Sequence, residues 1–121
     1  MSFSWDDLGD LAIWLEVEQP NEAGQRTAIN RAYDAAYHAA SAFVRARELS
    51  PPGQHLTHDR VWRLIRLSAI PNSATIAKRG FALKDARVGA DYRNPFPGNL
   101  ASEIKDAIFN SATIIAMLRE I

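Results

Sequence analysis

Apolar positions along this chain recur at intervals of three and four, the spacing of one helix face, and no stretch alternates as a strand would. The clearest stretch is Arg26–Arg47, RTAINRAYDAAYHAASAFVRAR, with eight alanines and neither glycine nor proline. Alanine favours helix because ordering costs its side chain no rotamer entropy. Tyr33, Ala36, Ala40 and Phe43 form an inward stripe. Ala28, Ala32, Ala35, Ala39 and Ala46 leave other parts of the surface thin, so neighbouring helices can approach closely. At ~1.5 Å rise per residue this is a rod of roughly 33 Å. With few bulky exits it is best buried on several sides, and the pattern predicts a central helix.

The other elements follow from breaks and caps. Residues 4–17 predict a first helix with Ser4 as N-cap and Asp6 and Asp7 in the first turn, where the helix dipole favours acids. Its apolar stripe is Leu8, Leu11, Ala12 and Leu15, widened by Trp5 and Trp14. Gln19-Pro20-Asn21 separates it from the long helix, which Asn21 caps. Ser50-Pro51-Pro52-Gly53 is a breaker. Thr57 then caps a third helix from His58 to about Ala69, with Val61, Trp62, Ile65 and Ala69 inward. Ile70-Pro71-Asn72-Ser73 opens a fourth helix that runs to about Tyr92, with Ile76, Leu83, Ala86 and Ala90 inward. Gly80 and Gly89 each cost it about 1 kcal/mol against alanine and suggest close helix contact. Asn94-Pro95 ends it, because the residue before proline is pushed out of helical geometry. Asn99 caps a fifth helix to about Arg119, with Ile104, Ala107, Ile108, Ile115 and Leu118 inward and Phe109 and Ile114 flanking. The expected fold is all-α: five helices in an up-and-down bundle, one domain over residues 1–121, with mostly antiparallel neighbours.

Composition narrows the function classes. There is no cysteine, hence no disulfide framework, no thiolate nucleophile and no cysteine-held zinc. The opening MSFSWDDLGD has no basic n-region and no long apolar core, and no run of about 18 apolar residues exists. A cytoplasmic protein without membrane contact is the expectation. The net charge of zero hides an asymmetry: residues 1–25 carry −6, residues 26–93 carry +7 and residues 94–121 carry −1. A basic middle attracts phosphates, and an acidic arm can cover it or pair with a second subunit; equally, such charges can average out over a folded surface.

Polar residues with chemistry to offer fall in two places. On the long helix, Arg31, Asp34, His38, Ser41 and Arg45 share one face, either solvated or turned into a groove or interface. The second place is Lys84-Asp85-Ala86-Arg87-Val88-Gly89-Ala90-Asp91-Tyr92-Arg93-Asn94. There Arg87 and Asp91 are spaced to pair, while Tyr92 lies about 140° around a regular helix from Arg87. Arg60, Arg63 and Arg66 form a basic ridge on the third helix, solvated or in contact with phosphate. His55, His58 and Asp59 cluster across a loop-to-helix junction, but a metal site would need further ligands, and no metal or cofactor is expected. No glycine-rich phosphate loop, GxSxG elbow or HExxH is present. Trp5, Trp14 and Trp62 fit core stripes better than a base-stacking platform.

Three segments carry a family resemblance. Ala-Tyr-Asp-Ala-Ala-Tyr-His-Ala-Ala within Arg26–Ala42 is similar to the AYYAAFHAA-type second helix of HEPN domains. His58-Asp59-Arg60-Val61-Trp62 resembles the H-x-x-V-W stretch of one HEPN branch, and Arg87 to Tyr92 resembles its R-x-x-A-D-Y ending. The resemblance implies a small helical bundle that forms homodimers and acts on RNA or a nucleotide in toxin–antitoxin or defence systems. A nucleotidyltransferase-like antitoxin is the implied partner. Active members resemble metal-independent endoribonucleases with an R-x(4–6)-H motif at the dimer interface. Arginine there stabilises developing phosphate charge and histidine moves protons. Arg87 fits that motif, with Asp91 and Tyr92 beside it, but the fifth residue after Arg87 is Tyr92 and no histidine follows. Tyrosine, with an ordinary pKa of about 10, is a poor base near neutrality. Arg31, Asp34, His38, Lys84 and Arg93 are the expected phosphate- or RNA-binding residues, with His38 a spatial substitute for the missing histidine if its helix faces Arg87. The alternative is a non-catalytic module for dimerisation or partner binding.

Overall fold

The computed structural model describes residues 2–121. Its elements are α1 (Asp6–Glu18), α2 (Glu22–Ala46), α3 (His58–Leu67), α4 (Ser73–Tyr92) and α5 (Leu100–Arg119), with no strand among the described residues.

Local chemistry sets the starts of these helices. The side chains of Asn21, Thr57 and Asn99 accept from the backbone N–H of Gly24, Arg60 and Ser102, so three helices open on the caps expected of them. Ser4 and Asp7 close the start of α1 reciprocally: Ser4 Oγ accepts from Asp6 N at 3.3 Å, and Asp7 accepts from Ser4 N at 3.1 Å. At α4 the cap position is Asn72, but in a left-handed conformation (φ 60°) and without a side-chain cap bond. α3 stops at Leu67, two residues short of Ala69, which is exposed.

α2 is the axis of the molecule and packs against each of the other four helices. Specific contacts give the directions. Trp5 meets His38 and Gly9 meets Ala35, so α1 runs antiparallel to α2. Asn30 and Arg26 near the start of α2 bind the end of α4. Asp59 pairs with Lys84, while Trp62 lies on Gly80, so α3 and α4 are antiparallel too. Arg119 pairs with Asp6 and Lys105 with Glu16, which lays α5 antiparallel to α1. These pairs tie the acidic first segment to α5 along one edge, while its main packing is on α2, within the basic middle.

The core runs through Ile29, Tyr33, Trp62, Ile65, Leu83 and Ile104, all at most 1% exposed. Several inward assignments are corrected. On α1 only Ala12 and Leu15 are buried; Trp5, Leu11 and Trp14 are exposed, because α1 covers one flank of the bundle and leaves its outer sides uncovered. On α2 Val44 is buried and Phe43 only partly. On α5 Ile114 takes the inward place assigned to Ile115, and Phe109 is 62% exposed. Gly80 is the close approach: a Cβ there would lie inside the Trp62 ring. Gly89 instead faces the loop at Phe96 and Pro97 with ordinary clearance.

Candidate functional site

The site grows from Tyr33, a fully buried residue at the middle of α2. His58 and Trp62 are one turn apart on α3 and therefore share a face. Both reach the Tyr33 hydroxyl: Trp62 Nε1–H donates to it at 3.2 Å, and its partner on the other side is His58 Nδ1 at 2.7 Å. Indole nitrogen is a donor only. The hydroxyl accepts from Trp62, and the assignment that also uses its proton has it donate to His58, with the hydrogen of the neutral imidazole on Nε2. Burial raises the Tyr33 phenol well above its ordinary range, so it remains this protonated donor. Tyr37 stacks on the same imidazole at 4.0 Å between centroids.

α4 supplies the cations. The Arg87 guanidinium carbon lies 6.0 Å from the centre of the Tyr33 ring and 5.9 Å from that of Tyr92, between two tyrosine faces. Arg87 Nε sits 2.9 Å from Asp91 Oδ2, a charge contact without the alignment of a hydrogen bond. Asn30 Nδ2 donates to the same carboxylate oxygen at 2.9 Å, which ties α2 to α4. Tyr92 reaches Arg87 without any loosening of the helix, which runs regularly to Tyr92 itself. Lys84 pairs with Asp59 at 2.6 Å, next to His58. Arg26 Nη1 donates to the Gly89, Ala90 and Arg93 carbonyls and so holds the end of α4 in place.

The polar stripe of α2 lies along this joint. Arg31 pairs with Asp34 at 3.3 Å. Burial is the main cause that lowers the His58 pKa, followed by the positive charge of Arg87; Asp34 opposes them, while Lys84 and His38 push weakly in the lowering direction. His38 is also lowered, again by burial first and against the pull of Asp34. Its ring is covered by Trp5, stacked in parallel with centroids 3.5 Å apart. Both imidazoles therefore favour the neutral form near pH 7.

Arg87, Asp91, Tyr92, Asp34 and Lys84 thus gather around Tyr33 and His58. Arg31 joins them through Asp34, and His38 through its electrostatic effect on His58. Arg93 stands apart, exposed beyond the end of α4, with only its backbone engaged among the described contacts. Sequence reasoning missed His58, Tyr33, Asn30 and Arg26 as parts of this arrangement. A signal for one of them existed, because H-x-x-V-W sets His58 on the same helix face as Trp62.

The three resembling segments therefore meet at one place: the Ala-Tyr-rich helix provides Tyr33, H-x-x-V-W provides the two groups bonded to it, and R-x-x-A-D-Y provides the arginine above it. The model of the HEPN domain family matches residues 21–121, which spans α2 to α5. Comparisons with curated proteins and with solved structures return no match. Four helices around a long central one, the convergence of these motifs and the family match over most of the chain give one conclusion: the chain belongs to the HEPN domain family.

Proposed function

We propose that this HEPN protein is directed at RNA, that it grips a phosphodiester on the face formed by α2, α3 and α4 with His58 as a neutral donor beside Arg87, and that His38 takes the proton-moving part of the histidine absent after Arg87. The observation that carries the reading is the convergence of Arg87 and His58 on Tyr33 from two different helices. Arg87 and Lys84 offer positive charge to phosphoryl oxygens, and the Nε2–H of neutral His58 offers an uncharged donor beside them. Arg60, Arg63 and Arg66 continue the positive surface along α3, with Arg63 and Arg66 exposed.

Cleavage on this face takes a metal-free course. The ribose 2′-OH attacks phosphorus, the bond to the 5′ oxygen breaks, and the products are a 2′,3′-cyclic phosphate and a 5′-hydroxyl. His38, kept neutral by burial, takes the 2′-OH proton and returns it to the leaving 5′ oxygen. A homodimer, a toxin–antitoxin or defence setting and a nucleotidyltransferase-like antitoxin belong to the same proposal and rest on family membership.

A second reading, RNA binding without turnover, is favoured by the position of Tyr92 where the R-x(4–6)-H pattern has histidine, and by its exposure of 72%. One experiment separates the two. Single-stranded RNA is titrated at two salt concentrations, and its integrity is followed by gel, with wild type, Arg87→Ala, His58→Ala and His38→Ala. Salt-sensitive binding lost in Arg87→Ala supports the phosphate face. Cleavage by wild type and not by His38→Ala, with binding kept, supports the catalytic form. Binding without cleavage selects the second reading, and salt-insensitive or absent binding refutes both.

A further inference from the structure

Trp5 was expected in the core, yet it is 47% exposed. It lies flat on His38, with centroids 3.5 Å apart and an interplanar angle of 11°. Phe3 stands at 86° to the indole, 5.0 Å away and 62% exposed. Beyond His38 the aromatic series continues inward: His38 edge-on to Tyr37 at 5.4 Å, Tyr37 on His58 at 4.0 Å, and Tyr37 on Tyr33 at 5.9 Å. The solvent end of a ring series that begins at the phosphate-facing residues is thus a large exposed indole. An isolated surface tryptophan gains little by lying open to water. One joined through His38, Tyr37 and Tyr33 to Arg87 has what a base-stacking platform needs, because every nucleobase has a π face and the phosphate is held separately. Residues 1–20 also lie outside the family match, so the segment before α1 adds Trp5 and Phe3 to a ring that the matched helix α2 supplies.

We infer that Trp5, backed by His38 and flanked by Phe3, is a stacking site for the nucleobase adjoining the phosphate gripped at Arg87. The inference rests on the phosphate reading above. Single-stranded RNA and free nucleotides qualify as ligands; a base locked within a duplex does not, since its faces are already stacked.

The test uses two small ligands that differ only by the base, adenosine 5′-monophosphate and ribose 5-phosphate, titrated calorimetrically against wild type, Trp5→Ala, Trp5→Phe and Arg87→Ala. Stacking contributes roughly 1–3 kcal/mol per base, which is about 5- to 150-fold in affinity. Wild type should therefore bind the monophosphate at least 5-fold more tightly than the sugar phosphate. Trp5→Ala should erase that preference without changing ribose 5-phosphate binding, and Trp5→Phe should keep most of it. Arg87→Ala should weaken both ligands alike. Equal affinity of wild type for both ligands overturns the platform, as does a preference that survives Trp5→Ala. Equal loss of both ligands in Trp5→Ala also overturns it and makes Trp5 a structural cover. If Arg87→Ala changes neither ligand, or wild type binds neither, the phosphate reading itself falls.

Discussion

Tyr33→Phe removes one oxygen from the centre of the molecule and tests whether the joint between α2 and α3 is built as described. Tyr33 and Trp62 are both 0% exposed. Without the hydroxyl, Trp62 Nε1–H loses its acceptor inside the core, and a buried unpaired donor costs about 1–3 kcal/mol. The indole cannot turn away to find another partner, because the backbone at Gly80 abuts its ring. His58 loses its donor as well, but it is only half-buried and water can replace that bond, so this loss adds less than about 1 kcal/mol. The void left by one oxygen is small. The sum is a destabilisation of roughly 2 kcal/mol, which lowers Tm by about 4–10 °C for a domain of this size. Urea denaturation should show a lower midpoint at unchanged slope. Long-range nitrogen–proton NMR should show His58 as the Nε2–H tautomer in the wild type and as a mixture in the variant. The His58 pKa should rise, since a bond donated to the neutral ring is gone, yet stay below its ordinary value because burial persists. A variant within about 0.5 kcal/mol of wild type, with the His58 tautomer unchanged, would refute the arrangement of donors around Tyr33.

Three further outcomes are expected. Gly80→Ala gains up to about 1 kcal/mol of helix propensity but drives a methyl into the Trp62 ring. With overpacking at roughly 1–3 kcal/mol or more, the variant should be net destabilised by calorimetry; a stabilised variant would show that the two helices are not in this contact. Arg26→Ala removes the donor shared by the Gly89, Ala90 and Arg93 carbonyls, and amide exchange in the last turn of α4 should quicken while that of α5 stays as it was. Acid should weaken the fold: the folded-state pKa values of His38 and His58 are depressed, so the unfolded chain binds protons first and stability falls as pH drops below about 6.5. Replacing both histidines by glutamine should flatten the urea midpoint between pH 7.5 and pH 5.5, and an unchanged slope would contradict the burial of the two rings.

Much of the fold was legible because it depends on local chemistry. Asn21, Thr57 and Asn99 act at the N–H groups three residues on, and proline ends helices through its nearest neighbours. The alanine run marked α2 as the axis because small side chains suit close neighbours on several sides. Burial on α1 and α5 was less legible. Periodicity shows which residues share a face, but not how wide a face the rest of the bundle covers. α1 therefore keeps only Ala12 and Leu15 inside although its whole surface is rich in apolar residues. The candidate site was half legible. Arg87 and Asp91 could be paired from spacing alone, whereas the bond between Tyr33 and His58 joins residues 25 positions apart and has no local signature.

That long-range bond also explains why a histidine need not follow Arg87 on α4 for one to stand near it. A group on the same helix as its partner is placed by spacing, but a group on another helix is placed by the docking of the two. Here the docking of α3 on α4 is held at one end by Lys84 and Asp59 and in the middle by the Trp62 ring on Gly80, with Tyr33 receiving both His58 and Trp62 from the side. A slip of α3 by one turn would carry His58 about 5.4 Å along its axis, which breaks the 2.7 Å bond and moves the imidazole out from under Tyr37. The register of α3 is thus coupled to the presentation of His58 beside Arg87, and a substitution at Gly80 or Trp62, neither of them on the polar face, should disturb the face as surely as one at His58.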